Sequence, residues 1–482
     1  MLDLRPILFI LGLLLTTLAL AMSLPALVDA ATGHADWQVF LASAGLTLFI
    51  GVSLILTMRG GDMEIGIREA FVLTIASWLG VTLFASLPFV FAELNLSFAD
   101  AFFEAMSGIT TTGATVIVGL DAAPPGILLW RALLQWLGGI GIIVTAVAML
   151  PMLKVGGMQL FRMESSDTTD KVLPRAAQIA TAIGAIYFIL TAICAIAYWL
   201  AGMPGFDAIA HAMTTIATGG FSTSDDSLAT FSTPSIEWIA VVFMIVGSLP
   251  FVLYLQAVRG RPMSLFRDSQ VRWFLSLALA LVIIVVLVLL LTQDFSSSQS
   301  LRLSAFNTVS ILTGTGYSTA AFDNWGPFAL TIFFLIMFIG GCAGSTTCGI
   351  KIFRFQILYE TATAQIRRLV QPHGIFIPYY NRSPITDEVA MSVMSFFFFY
   401  VLVFIALALG LSALGLDFLT ALSGAATAIS NVGPGLGPVI GPNGTFTSLP
   451  DTAKWLLSAG MLLGRLELFT ILVLFAPAFW KT

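Results

Sequence analysis

The stretch DAFFEAMSGITTTG, residues 100–113, aligns without a gap on DAIAHAMTTIATGG, residues 207–220, sharing Asp, Ala, Ala, Met, Ile, Thr and a final Gly. A third copy, LSAFNTVSILTGTG, runs over 303–316, and a divergent fourth ends in Ser430, Asn431, Val432 and Gly433. Each copy is a short semi-apolar segment that closes in a turn of small residues. A segment of that length cannot cross a bilayer, which takes about 20 apolar residues, so it must enter and leave on one side. Irregular backbone at membrane depth persists only where protein encloses it or water meets it. Four such turns predict one ring assembled from four chain segments, the geometry of an ion selectivity filter.

The chain around these copies is apolar throughout. Its 482 residues are 58% hydrophobic and 10% charged, with a mean hydropathy of +0.97, far outside the range of soluble domains. Ten spans are expected, near 6–27, 38–57, 70–91, 126–150, 177–201, 236–258, 273–292, 328–359, 389–414 and 452–479. The predicted fold is an all-α membrane protein of ten transmembrane helices: an N-terminal helix pair followed by four repeats, each a span, a short pore helix and a second span. The repeats are expected in pseudo-fourfold arrangement around one pore. The boundaries fall at 1–66 for the N-terminal hairpin, 67–152, 153–260 and 261–370 for repeats one to three, and 371–482 for repeat four. Arg5 and the apolar run after it resemble a secretory signal, but the run exceeds the usual h-region, so a retained first span is expected. Cys194, Cys342 and Cys348 lie in or beside apolar segments and form neither a disulfide framework nor a metal pattern.

Basic residues set the orientation, because cytoplasmic loops retain an excess of them. Arg5, Arg59, Arg68, Lys154, Arg162, Lys171, Arg175, Arg259, Arg261, Arg267, Arg272, Arg354, Arg367, Arg368, Arg382 and Lys481 fall on one side. The other side holds only Arg131, Arg302 and Lys454, amid Asp29, Asp36, Glu93, Asp121, Asp225, Asp226, Asp294, Asp323 and Asp451. The short segments therefore open outward, and acids at the outer mouth are expected to concentrate cations. The polar stretches 154–175 and 359–387 read either as solvated connectors or as docking surface for a soluble partner.

A dehydrated cation needs substitutes for its water oxygens, and backbone carbonyls converging on an axis provide them. Holding carbonyls that way calls for backbone angles that suit glycine. The candidate ion-binding residues are Thr111, Thr112 and Gly113; Thr218, Gly219 and Gly220; Gly314, Thr315 and Gly316; and Asn431, Val432 and Gly433. The competing reading of any one cluster is close helix packing through small residues; four clusters at corresponding places argue against it.

Taken together, SGITTTGATV (107–116), TIATGGFSTSDDS (215–227), LTGTGYSTAAF (312–322) and SNVGPGLGPV (430–439) resemble the Trk/Ktr/HKT superfamily of potassium-translocating proteins, most closely its bacterial TrkH branch. The resemblance covers essentially the whole chain. It implies potassium ion as substrate, uptake across the bacterial inner membrane through a channel-like pore within each subunit, and a homodimer. It further implies a cytoplasmic TrkA-type regulatory subunit that binds nucleotide, so no organic cofactor is expected in this chain. Membrane lipid is an expected partner and nucleic acid is not. With one strongly placed glycine per repeat, and Asn431 and Val432 in place of Thr/Gly in the fourth, modest discrimination between potassium and sodium is expected.

A second feature lies below the turns. The span at 328–359 is interrupted by Gly340, Gly341, Gly344, Ser345, Thr346, Thr347 and Gly349. Helix from 328 to 339 would advance about 18 Å before the break, on the cytoplasmic side of the midplane. Glycine there weakens the helix, and Ser/Thr can satisfy the freed backbone; in the resembled family such a loop blocks the pore. Residues 344–351 imitate a phosphate-binding loop but fail, because Ile350 intervenes and no Ser/Thr follows Lys351. Arg465 sits deep in the last span, where a charge must be paired or hydrated. It is expected either to face the pore, where the resemblance implies contact with the gating loop, or to anchor structural carbonyls.

Two other functions compete. A proton- or sodium-coupled potassium symporter would use intramembrane carboxylates, yet Glu104, His211 and Asn307 share one repeat position and are expected to hold the short helices in place. A polytopic membrane enzyme finds no support, since HExxH, GxSxG and clustered carboxylates are all missing from the sequence.

Overall fold

A computed structural model of the chain describes residues 3–60, 66–148, 172–231, 233–381 and 383–480. Lys154, Arg162, Lys171, Arg382, Lys481 and most of the stretch 154–175 lie outside the described residues. Apart from a minimal hairpin pairing Tyr379–Tyr380 with Ser383–Pro384, the regular structure described is helical. Among the described residues, seven helices are long and apolar enough to cross a membrane, or nine if two sharply bent pairs each count as one span.

The N-terminal pair, Leu4–Thr32 and Trp37–Met58, crosses where two glycines face each other. A Cβ at Gly12 would lie 2.8 Å from the Gly51 carbonyl oxygen, and one at Gly51 3.0 Å from that of Gly12, so small residues set the approach. The pair is tied to repeat one by Asp29, whose carboxylate accepts the Gly126 N–H at 2.6 Å. That N–H belongs to the first turn of Pro125–Ala148, where the positive helix end favours an anion.

Each repeat carries a short helix: Phe98–Ile109, Gly205–Ile216, Ser297–Leu312 and Phe418–Ser430. The longest has 16 residues, about 24 Å, less than the ~30 Å of bilayer hydrocarbon. Their starts are marked by side-chain caps. Ser97 and Asp100 form a reciprocal capping box, Ser296 accepts from the Gln299 N–H, and Asp417 accepts from the Thr420 N–H; the second helix follows Pro204 with no such cap. Around them, one apolar cluster joins the N-terminal pair to repeats one and four through Leu15, Met22, Phe40, Phe103, Trp130, Leu457 and Met461. Separate clusters form around Tyr187 and Phe251 and around Phe322 and Phe333.

Three expected spans are bent or split, two of them where no break was expected. The stretch 236–258 bends by 91° between Pro234–Gly247 and Phe251–Val258. Pro250 contributes no N–H there, and the Ser248 hydroxyl turns back onto the Met244 carbonyl at 2.7 Å. The stretch 452–479 bends by 105° after Asp451–Arg465. Glu467 and Leu468 both adopt left-handed angles, with φ of 57° and 54°, while the Glu467 carboxylate pairs with the buried Arg354. Left-handed residues cost about 1–3 kcal/mol each, and an unpaired buried guanidinium costs more. The expected span 328–359 is split into Pro327–Ile336 and Ile352–Val370, with residues 340–349 in the loop between them.

Charges on the acidic side are mostly committed. Arg131 pairs with Glu104 at 2.8 Å, Lys454 with Asp100 at 2.5 Å, and Arg302 with Glu237. Asp29 and Asp36, expected at an open mouth, are buried instead.

Candidate functional site

All four short helices end in the same way. The N–H groups of Thr112, Gly219, Thr315 and Val432 reach back to the carbonyls of Ser107, Thr214, Ser310 and Thr427 at 2.8, 2.9, 2.9 and 3.1 Å. Those of Thr111, Thr218, Gly314 and Asn431 reach Gly108, Thr215, Ile311 and Ala428. This paired closure is the Schellman motif, which requires a left-handed residue just past the helix. Thr111, Thr218, Gly314 and Asn431 supply it, with φ of 54°, 50°, 69° and 53°. Two residues on, Gly113, Gly220, Gly316 and Gly433 are left-handed again, at 86°, 76°, 81° and 107°. Three of the first set carry side chains, so their surroundings must hold them in a conformation that costs about 1–3 kcal/mol each.

The turns meet one another in cyclic order. A Cβ at Gly113 would sit 2.2 Å from the Gly219 carbonyl oxygen, one at Gly220 1.8 Å from that of Thr315, and one at Gly316 2.0 Å from that of Val432. At Gly433 it would sit 3.0 Å from the Thr112 oxygen, which returns the series to its start. Each glycine thus abuts the carbonyl preceding the glycine of the next copy. No side chain fits at the first three positions without displacing backbone, and the fourth is tight. All twelve residues singled out in the turns come together here.

Buried polar side chains brace the extended segments that leave the turns. The Glu104 carboxylate accepts from the Thr115 hydroxyl and the Val116 N–H at 3.0 and 2.9 Å. Its partner Arg131 also donates to the Ser222 carbonyl at 2.6 Å, in the next repeat. His211 bonds the Ser222 hydroxyl at 2.9 Å, and the Asn307 amide exchanges hydrogen bonds with Thr319. In the fourth copy Gly424 takes this position, and the neighbouring Ser423 hydroxyl accepts the Leu436 N–H at 3.0 Å. Every polar atom of Glu104 is therefore occupied in holding structure, and an unmet hydrogen bond at this depth would be costly.

Below the turns, the loop of repeat three docks into the bend of repeat two. The Cys342 and Thr346 N–H groups donate to the Ser248 and Gly247 carbonyls at 3.1 and 3.3 Å, and the Phe251 N–H donates to the Gly344 carbonyl at 2.9 Å. Two chain breaks satisfy each other's backbone, as the membrane interior demands. The Thr346 hydroxyl reaches the Ile216 and Gly247 carbonyls at 3.1 and 2.9 Å and accepts from the Thr218 hydroxyl at 3.1 Å. Arg465 donates to the Thr346 carbonyl at 3.1 Å and to the Gly138 carbonyl at 3.0 Å, and also contacts the Cys348 sulfur. It is buried and turned onto the loop. Gly340 is fixed by contact, since a Cβ there would lie 1.8 Å from the Cys348 carbonyl oxygen. Gly341, Ser345 and Thr347 are knitted together within the loop, and Gly344 and Gly349 take left-handed angles.

Two contributors lie outside the residues the sequence singles out: Gln135 contacts the second turn directly, and Tyr317 donates to the His211 carbonyl at 3.2 Å. Asn431, already a candidate, donates to the Thr112 hydroxyl of the adjacent turn at 2.8 Å. The available signal for the first was Arg131 and Gln135 four residues apart in an otherwise apolar span, which places both on one helix face.

Comparison with known proteins points one way. The family model for TrkH, described as a cation transport protein, matches residues 37–482. The Trk system potassium uptake protein TrkI of Halomonas elongata is 48% identical over 480 residues, covering 99% of this chain and 97% of that one. The Trk system potassium uptake protein TrkH of Escherichia coli (strain K12) is 40% identical over 482 residues, covering 99% of each. The crystal structure of the potassium transporter TrkH from Vibrio parahaemolyticus superposes with a TM-score of 0.92 at 38% identity, over 100% of both chains.

Proposed function

The chain belongs to the TrkH family of cation transport proteins, and from that premise we propose that it takes up potassium through a pore lined by its four turns. It is a multi-pass protein of the inner membrane and a transporter, not an enzyme. The four repeats stand in pseudo-fourfold arrangement, ten spans in all when the split and bent helices are counted. The carbonyls of Thr112, Gly219, Thr315 and Val432 lie in the ring that replaces the hydration shell of the ion. The loop at 340–349 is the gate, and Arg465 both anchors it and opposes cations by its charge. Relatives named as parts of a Trk system support a multi-component assembly; we assign a homodimer with a TrkA-type cytoplasmic subunit that carries the nucleotide.

The observation that carries this reading is the cyclic contact of four equivalent glycines, each against the next copy's carbonyl. Helix packing through small residues would bring such turns together in pairs, not in a closed series. The test is rubidium uptake into vesicles reconstituted with the purified chain. Uptake that is driven by a potassium gradient and lost in Gly113→Ser or Gly220→Ser supports the pore, whereas equal uptake in wild type and both variants would exclude these turns as the path.

A further inference from the structure

One ring carbonyl differs from the other three. The Gly219 oxygen accepts a hydrogen bond from the Gln135 side-chain amide at 2.6 Å, and the oxygen of the same amide accepts the Phe221 N–H at 3.0 Å. A single carboxamide thereby clamps the peptide groups on both sides of Gly220. Among the described residues, no side chain donates to the corresponding oxygens of Thr112, Thr315 and Val432. Gln135 is fully buried, in the second helix of repeat one, so it reaches the neighbouring repeat across a seam.

The residue types in the turns bear this contact out. The middle position is Thr112, Thr315 and Val432 in three copies and glycine only in the second. A Cβ at Gly219 would lie 2.4–2.8 Å from the amide atoms of Gln135. The space that a side chain fills in the other copies is occupied here by Gln135.

We propose that Gln135 is a specificity-determining positioning residue, which holds the Gly219 carbonyl in direction and lowers its electrostatic field at the ion. The proposal rests on the four turns being the ion path. A donor hydrogen 2.6 Å from heavy atom to heavy atom offsets part of the oxygen's negative potential. Discrimination among monovalent cations depends on the number and field strength of the coordinating carbonyls, and a stronger field favours the smaller, more tightly hydrated sodium. Removing the donor releases the carbonyl and strengthens its field together, and both changes disfavour potassium.

The experiment compares wild type, Gln135→Met and Gln135→Glu, each purified as the full chain, checked for monodispersity, and reconstituted into vesicles with potassium or sodium uptake measured separately. The potassium-to-sodium ratio should fall by about fivefold for Gln135→Met, the factor that one net hydrogen bond represents, and should be largely kept in Gln135→Glu, whose buried acid stays protonated and still donates to the carbonyl. A ratio unchanged in both variants overturns the proposal while leaving the pore intact. Aggregation of both assigns Gln135 to folding and overturns it too. A wild type that passes neither ion defeats the pore reading and this one with it. As an independent check, Gly219→Thr should be tolerated only when combined with Gln135→Ala; equal behaviour of the single and double variants would count against the shared space.

Discussion

The ring of turns and the loop beneath it are both irregular backbone at membrane depth, but they are held by different means. In the ring, conformation is enforced: left-handed glycines press against carbonyls with no room for a Cβ, and Schellman closures fix each helix end. In the loop, Gly340 is fixed by contact only within the loop itself, against Cys348, and the ties to the surroundings are hydrogen bonds to Gly247, Ser248, Ile216 and Arg465, each of which water could replace. A part held by excluded volume has one shape. A part held by exchangeable bonds, each worth about 0.5–1.5 kcal/mol net, can adopt a second at modest cost. On the proposed pore reading, the contrast gives constancy to the ring and motion to the loop.

The largest test of the contrast is Gly220→Ser. Its Cβ would meet the Thr315 oxygen at 1.8 Å at a φ of 76°, so uptake should drop on the order of 100-fold, as ~3 kcal/mol of local strain implies. Near-normal rubidium uptake in that variant would show that the ring tolerates deformation. Next is Arg465→Ala, which removes a buried charge and the loop's contacts at Thr346 and Cys348. Potassium leak without activation should rise roughly tenfold, a part of the several kcal/mol that a charge represents at this depth; deletion of 341–348 should act in the same direction. Thr346→Val keeps the volume but loses hydroxyl bonds to three partners. Flux should rise about threefold, less than one net hydrogen bond's worth each, with the ion preference unchanged, and a shift in preference would mean that ring and loop are not separable. The smallest effect is expected for Asp29→Asn, far from both regions: a loss of about 1 kcal/mol at a helix end, seen as a lower melting temperature with normal transport.

Much of this arrangement is legible in the sequence. The turns repeat in the sequence because the same Schellman closure and the same left-handed glycine are needed four times, and the interruption in repeat three announces itself as glycines inside an apolar run. The bend at 467–468 was not legible. Nothing local marks Glu467 and Leu468 as left-handed; the cause is Arg354, more than a hundred positions away in sequence, which needs a carboxylate. The bend at 248–250 had a local sign in Pro250, yet its depth of 91° answers to the loop that fills it. Gln135 escaped for a related reason. A single polar residue in a span reads as a packing detail until Gly219 of the next repeat, whose side-chain space it fills, is seen against it.

The mutual docking of the two chain breaks has a consequence for hydration. With the loop in place, the peptide groups of Ser248, Phe251, Cys342 and Gly344 are partnered without solvent. Were the loop to swing aside, all four would be stranded in a medium that offers them nothing, unless water followed. If the loop is the gate we propose, a conducting form would therefore be a flooded one, in which the solvent that quenches the bared amides also forms the column through which the ion leaves.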